Sequence, residues 1–187
     1  MVLAAGGSSR FGSPKQLIEH NGETLVKRAA RTSLEAGAAT VFVILGADAD
    51  AISETLRGMP DVRCVTNNDW RSGLSSSLAL GLRWVLQETD ADGALVTLAD
   101  QAFVDGAALA SLVASFDESH RLVASSYDGV LGVPALFGRE YLEELTTLSG
   151  DAGAGAWLRA DSRTVTAVTL EKASLDIDTP LDASLLQ

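Results

Sequence analysis

Three stretches of this sequence hold residue types that can do chemistry. The first is Leu3-Ala4-Ala5-Gly6-Gly7-Ser8-Ser9-Arg10-Phe11-Gly12, with Pro14 and Lys15 just beyond. Small residues after a strand let the backbone approach a ligand, and successive N–H groups in such a turn form an anion-binding concavity. Arg10 and Lys15 add positive charge suited to a triphosphate. The stretch is not a Walker A loop, because no Gly-Lys-Ser/Thr ends it, and it is not G-x-G-x-x-G. On its own it reads equally well as a plain glycine-rich turn.

The second stretch is Asp100-Gln101, directly after the apolar run Ala94–Leu98. A carboxylate at the C-terminal end of a buried parallel strand faces the crevice in which α/β folds bind ligands. A hard cation such as Mg²⁺ takes one or two carboxylates and completes its shell with phosphate oxygens and water. Asp176-Ile177-Asp178 offers further carboxylates near the other end of the chain. Each acid alone also fits a helix cap or a solvated loop. The third stretch, Asn67 to Leu78, is rich in amides and hydroxyls and opens onto a helix. It reads as recognition of a base or ribose by hydrogen bonds, or as ordinary helix capping. It lacks the G-x-S-x-G of a hydrolase elbow, and His20 and His120 have no evident partner, so acyl transfer is set aside.

The elements that must position these residues alternate. Val41–Leu45, Val62–Val65 and Ala94–Leu98 read as buried strands, and 165–170 as a half-exposed one. Amphipathic helical patterns run over 25–36, 49–57, 75–87, 106–115 and 139–148, and Thr179-Pro180 is an N-cap followed by proline at the first helical position. Strand–helix alternation predicts an α/β fold with a mostly parallel sheet. So few residues precede Gly6 that either the first strand is short or the chain begins upstream.

Composition bounds the rest. The 187 residues suit a single domain spanning 1–187, with 47% hydrophobic residues and one cysteine, Cys64, which rules out an internal disulfide framework. No apolar run spans a bilayer, and Met1–Ala5 has no basic n-region, so a soluble cytoplasmic protein with no membrane partner is expected. The net charge is −11, and no basic stripe is present to neutralise a nucleic acid. Residues 1–31 nevertheless carry five basic and two acidic residues, a net of +3, leaving −14 for the remainder. A small cationic patch on an acidic protein suits an anionic small molecule.

In this order and spacing the segments resemble the MobA-like NTP transferase family, most closely its molybdenum-cofactor cytidylyltransferase branch. The signature loop resembles 3–12 with Lys15 and Leu17. The nucleotide-base segment resembles Trp70 with Gly73–Leu78 and Gly81, and the metal-binding acid resembles Asp100 in Ala99-Asp100-Gln101. Gly132–Phe137, Gly150-Asp151 and Asp176–Pro180 resemble the acceptor-side and closing motifs. The resemblance implies a nucleotide-diphospho-sugar transferase fold (Rossmann-like, GT-A type), a three-layer sandwich with a mixed sheet. It implies a nucleotide site of Leu3, Ala4, Ala5, Gly6, Gly7, Ser8, Lys15, Asn67, Gly73 and Ser77. Arg10, Lys15 and Asp100 would be catalytic, and Asp100 and Asp178 would hold Mg²⁺. Three departures fall on the acceptor side: Ala102 stands where the family usually has proline, Val133 where cofactor-modifying members have histidine, and Gly155 where arginine is common.

The implied reaction transfers NMP from an NTP to a phosphate-bearing acceptor and releases pyrophosphate. CTP is the favoured donor, because the guanylyltransferase branch tends to have glycine at the position of Ala5. Molybdopterin is the favoured acceptor, and a molybdoenzyme or its chaperone is a conceivable protein partner. The alternatives are a GTP-using or sugar-phosphate nucleotidyltransferase, and a nucleotide- or cofactor-binding protein without turnover.

Overall fold

A computed structural model describes residues 1–8, 11–160 and 164–186, with Ala160 described by its backbone alone. Among these residues seven strands form one sheet in the order β5-β4-β1-β6-β8-β7-β9. They are β1 (Val2–Ala4), β4 (Val41–Leu45), β5 (Val62–Thr66), β6 (Gly93–Leu98), β7 (Leu122–Tyr127), β8 (Val130–Gly138) and β9 (Thr166–Thr169). β5, β4, β1 and β6 run parallel, β8 is antiparallel to both β6 and β7, and β9 is parallel to β7. All of β4 is buried, as an unbroken β-branched and aromatic run in mid-sheet requires. The first strand is indeed short, three residues.

Alternating side chains send the strands' apolar groups to opposite faces, and each face is covered by helices. On one face Leu3, Phe42, Ile44 and Val96 meet α3 (Leu74–Glu88), α5 (Arg139–Leu145) and α6 (Ala154–Ala160), through Leu78, Leu82, Leu142 and Trp157. On the other, Val2, Ala4, Val43 and Leu45 meet α1 (Leu25–Glu35) and α2 (Ala49–Thr55), through Val26, Ala30 and Ile52. Leu95, Val123 and Leu136 meet α4 (Gly106–Ala114) through Leu109 and Leu112. The result is the expected helix–sheet–helix sandwich, and the sheet is mixed as the resemblance implied.

The structure adds two hairpins that hydrophobic periodicity does not report. β7 and β8 pair around Asp128-Gly129, and the two-residue strands β2 (Glu19–His20) and β3 (Glu23–Thr24) pair around Asn21-Gly22. All four turn residues have positive φ, between 50° and 76°. Asp-Gly and Asn-Gly are the dipeptides that such tight turns select, so the signal was present in the sequence. Gly132–Phe137, read as an acceptor-side motif, lies within β8. The helices at 49–57 and 139–148 end earlier, at Thr55 and Leu145, and the final strand covers 166–169.

Candidate active site

The loop after β1 is shaped by a residue that the sequence reading did not single out. Gln16 is buried, and its Nε2 donates to the carbonyls of Ala4 at 2.9 Å and Gly6 at 2.8 Å. Its Oε1 accepts from Ser8 Oγ at 3.3 Å, and that hydroxyl in turn accepts from the Lys15 N–H at 3.1 Å. Ser8 sits at φ 48°, and its carbonyl accepts from the N–H groups of Phe11 and Gly12. The carbonyls of Ala4, Gly6 and Ser8 are thus used by the segment itself, while the N–H groups of Gly6 and Gly7 donate to no protein group among the described residues. Unspent amides in a tight turn are what an anion site needs.

Lys15 leaves this loop and reaches two acids far away in sequence. Its Nζ lies 2.5 Å from Asp100 Oδ2 and 2.7 Å from Asp178 Oδ1. The Lys15 and Asp100 side chains are only 16% and 18% exposed, whereas Asp178 is 49% exposed, so the inner pair is the better shielded. Burial opposes the Lys15 charge, but the attraction of Asp100 and the hydrogen bonds to both carboxylates outweigh it and hold the ammonium above the ordinary lysine range. Asp176 stands beside them. Desolvation of its carboxyl, with repulsion from Asp100 and Asp178, pushes it up to about 7, although the residue as a whole remains exposed.

Backbone contacts lock this acid end together. Ile177 N–H donates to the Asp100 carbonyl at 3.1 Å. The buried Gln101 amide donates to the carbonyls of Val133 at 2.9 Å and Ala173 at 2.8 Å, tying β8 and the 173–178 segment to the end of β6. The capping box at Thr179 and Asp182, with proline at the first helical position, sets where α7 (Pro180–Ala183) begins and so where Asp178 stands.

The other end of the site is assembled from neighbours in sequence. Asn67 Nδ2 donates to both Ser76 Oγ and Ser77 Oγ at 2.9 Å, and Asn67 Oδ1 accepts from the Asp69 N–H. Ser75 holds the Gly150 carbonyl with its N–H and its hydroxyl. Gly73, at φ 116°, passes so close to that carbonyl that a Cβ would sit 2.2 Å from it. Trp70 lies against Gly7 and Gly46, where a Cβ would come within 2.8 Å and 2.7 Å of its ring atoms. The bare backbone at these positions is what lets the indole settle against the loop after β1.

Between the two ends lies a cavity of about 680 Å³, at the C-terminal ends of β1 and β6. Its lining includes Leu3, Ala4, Ala5, Gly6, Lys15, Gly73, Ser77 and Asp100 from the sequence-predicted set, and Gln16, Trp70, Arg71 and Asp151 besides. Gly7, Ser8, Asn67 and Asp178 do not line it. Ser8 and Asn67 buttress lining residues, and Asp178 reaches the site through Lys15. Arg10 lies outside the described residues.

A family model, that of the MobA-like NTP transferase domain, matches residues 1–165. The chain belongs to this family. Fold and family together place it among nucleotidyltransferases, and no match specific to molybdopterin cytidylyltransferases accompanies them. Among solved structures, a nucleotidyl transferase from Methanothermobacter thermautotroptrophicus superimposes with a TM-score of 0.84 at 25% identity, over 99% of this chain and 93% of the other. Rv0371C of Mycobacterium tuberculosis H37Rv, in a crystal structure with manganese, superimposes with a TM-score of 0.78 at 26% identity, over 99% and 95%. The nicotine blue oxidoreductase of Paenarthrobacter nicotinovorans is 32% identical over 191 residues, covering 96% of this chain and 91% of that protein.

Family membership implies metal-assisted nucleotidyl transfer. Among the described residues no group of three or more His, Cys, Asp or Glu side chains is placed to hold a metal ion by itself. Two features fit an ion that draws its other ligands from phosphate and water. Asp100 and Asp178 converge on one point, the Lys15 ammonium. Asp100 Oδ1 is buried and has no hydrogen-bond partner among the described residues, an acceptor awaiting a cation or donor. No helix among the described residues is long and apolar enough to cross a membrane.

Proposed function

We propose that the chain, acting as one domain, transfers NMP from an NTP, CTP in preference, to a phosphate-bearing acceptor of the molybdopterin class. The observation that carries this reading is the union of Lys15, Asp100 and Asp178 beside a loop with unspent amides, at one end of a cavity whose other end is a hydroxyl-rich wall. The triphosphate lies along the Gly6–Gly7 amides, with Arg10 and Lys15 offsetting its charge. The base meets the Gly73–Ser77 wall. The acceptor's phosphate oxygen attacks the α-phosphorus, a new P–O bond forms, and the bond to the pyrophosphate oxygen breaks. The nucleophile is already anionic, so no histidine base is required, and catalysis reduces to alignment and charge neutralisation. Asp100 and Asp178 would hold Mg²⁺, which when bound supplies Lewis-acid neutralisation of the phosphates. The reading carries with it a cytoplasmic setting, where NTPs are available, and neither a nucleic-acid nor a membrane partner. Where CTP is not the donor, a GTP-using or sugar-phosphate relative is the nearest neighbouring reading.

A second reading rests on one observation, the 32% identity to a protein named as an oxidoreductase. On that reading the same cavity holds the nucleotide part of a redox cofactor. One assay separates the two. Purified protein with Mg²⁺, each of the four NTPs and a pterin or sugar phosphate acceptor is expected to release pyrophosphate, fastest with CTP. Absence of pyrophosphate, with binding and oxidation of a reduced nicotinamide or flavin nucleotide, would replace the first reading by the second. Nucleotide binding without either turnover would leave a binding protein.

A further inference from the structure

The charge in the cavity is unevenly available. Lys15 is spoken for by two carboxylates. Arg71 also lines the cavity, and among the described residues it makes no ion pair and donates no hydrogen bond. Of the other described arginines, Arg31, Arg57, Arg63 and Arg121 pair with glutamates, and Arg28, Arg139 and Arg159 donate to backbone carbonyls; Arg83 on α3 makes no such bond among the described residues, but it does not line the cavity. What holds Arg71 is an aromatic face, with its Cζ 4.4 Å from the centre of the Trp70 ring. A cation over a ring is steadied without spending its N–H donors. Trp70 is itself fixed by its fit against Gly7 and Gly46, so the guanidinium is held near the loop that offers unspent amides.

We propose that Arg71 is a phosphate-binding residue of this cavity, its unspent N–H donors held beside the Gly6–Gly7 loop by the Trp70 ring. Guanidinium donors match phosphate oxygens in pairs, and the ring lowers the cost of ordering a long side chain before the ligand arrives. The ligand class is a phosphate ester or anhydride, and its source is either the triphosphate of the donor or the phosphate of the acceptor. The inference deepens the nucleotidyl-transfer reading and rests on it only for the identity of the ligand.

The test is calorimetric titration of wild type, Arg71→Ala and Arg71→Lys with CTP, ribose 5-phosphate and cytidine, at two salt concentrations and with circular dichroism to check the fold. Arg71→Ala should lose about tenfold or more in affinity for at least one phosphate ligand, the scale of a lost charge-assisted hydrogen bond. Cytidine binding should change by no more than about twofold, a shift too small for a lost hydrogen bond to a charged group. Arg71→Lys should recover part of the loss, because the charge returns without the paired donors. A loss confined to CTP assigns Arg71 to the donor, and one confined to ribose 5-phosphate assigns it to the acceptor. An equal loss for cytidine, or no loss for either phosphate ligand, overturns the proposal. If wild type binds ribose 5-phosphate but no NTP, the nucleotidyl-transfer reading fails while the Arg71 proposal is still decided by the second ligand. If wild type binds no phosphate ligand, both fail.

Discussion

The two ends of the cavity are built in opposite ways. At the acid end, Lys15, Asp100 and Asp178 come from three distant parts of the chain, and Lys15 and Asp178 are 163 residues apart. They are held by ion pairs whose partners can be exchanged for those of a ligand. At the other end, Asn67, Trp70, Gly73 and Ser77 are sequence neighbours, held by short hydrogen bonds and by glycines that allow close approach. An incoming charged ligand can rearrange the first end at modest cost, because it returns an ionic partner for each one it displaces. The second end has no such slack, so it suits shape and hydrogen-bond reading. The proposed function, in which one site binds a charged group and also distinguishes bases, calls for both constructions.

The comparison breaks most readily at Asp100. Asp100→Ala should lower turnover by on the order of 10²–10³, the scale of removing one electrostatic stabiliser from an active site. Thermal unfolding should fall only modestly, since Lys15 loses its bond to Asp100 Oδ2 but keeps Asp178 as an ionic partner. Retained Mg²⁺-dependent pyrophosphate release would remove the metal role, and a collapse of the melting temperature would make Asp100 a structural residue.

Lys15→Ala probes the same end from the cationic side. Loss of hydrogen bonds to charged groups is worth about 1.5–3 kcal/mol, so NTP affinity should fall by about ten- to hundredfold. Nucleoside affinity should not change, because a nucleoside offers nothing for the ammonium to hold. Equal losses, measured by calorimetry, would show that Lys15 supports the loop through its place next to Gln16 rather than the phosphates.

The rigid end is tested at Gly46. A Cβ there would lie 2.6 Å from the Ala5 carbonyl and 2.7 Å from Trp70 Cγ, so Gly46→Ala should cost about 1–3 kcal/mol of stability, as overpacking does. Urea unfolding followed by tryptophan fluorescence measures it. A cost near zero would mean that Trp70 can shift freely, and the contrast between the two ends would lose its basis.

The smallest effect is expected at Ser77. A lost neutral hydrogen bond is worth about 0.5–1.5 kcal/mol, so Ser77→Ala should narrow an expected preference for CTP over GTP by up to about tenfold. Calorimetric titration with each NTP reads it. A wild-type preference for GTP would move the protein to the GTP-using alternative. An unchanged CTP preference in the variant would place base reading on backbone groups, and Ser77 would serve only its bond to Asn67.

Sequence by itself determined the layered architecture, because buried runs such as Val41–Leu45 and the amphipathic stretches between them carry their own periodicity. The glycine loop, Asp100 and the Gly73–Ser77 segment are each ambiguous alone, and it is their resemblance in order and spacing to the MobA-like family that marks them as one set. The hairpin at Asp128-Gly129 was legible in principle from its turn residues. Tertiary structure alone decided that Lys15 bridges Asp100 and Asp178, that Gln16 spends its amide on the carbonyls of Ala4 and Gly6, and that the Trp70 ring holds Arg71 at the cavity. The physical reason is that local pattern reports which face of an element is apolar. Which polar side chain finds which partner depends on where strand ends and loops from distant segments converge, and no period along the chain encodes that meeting.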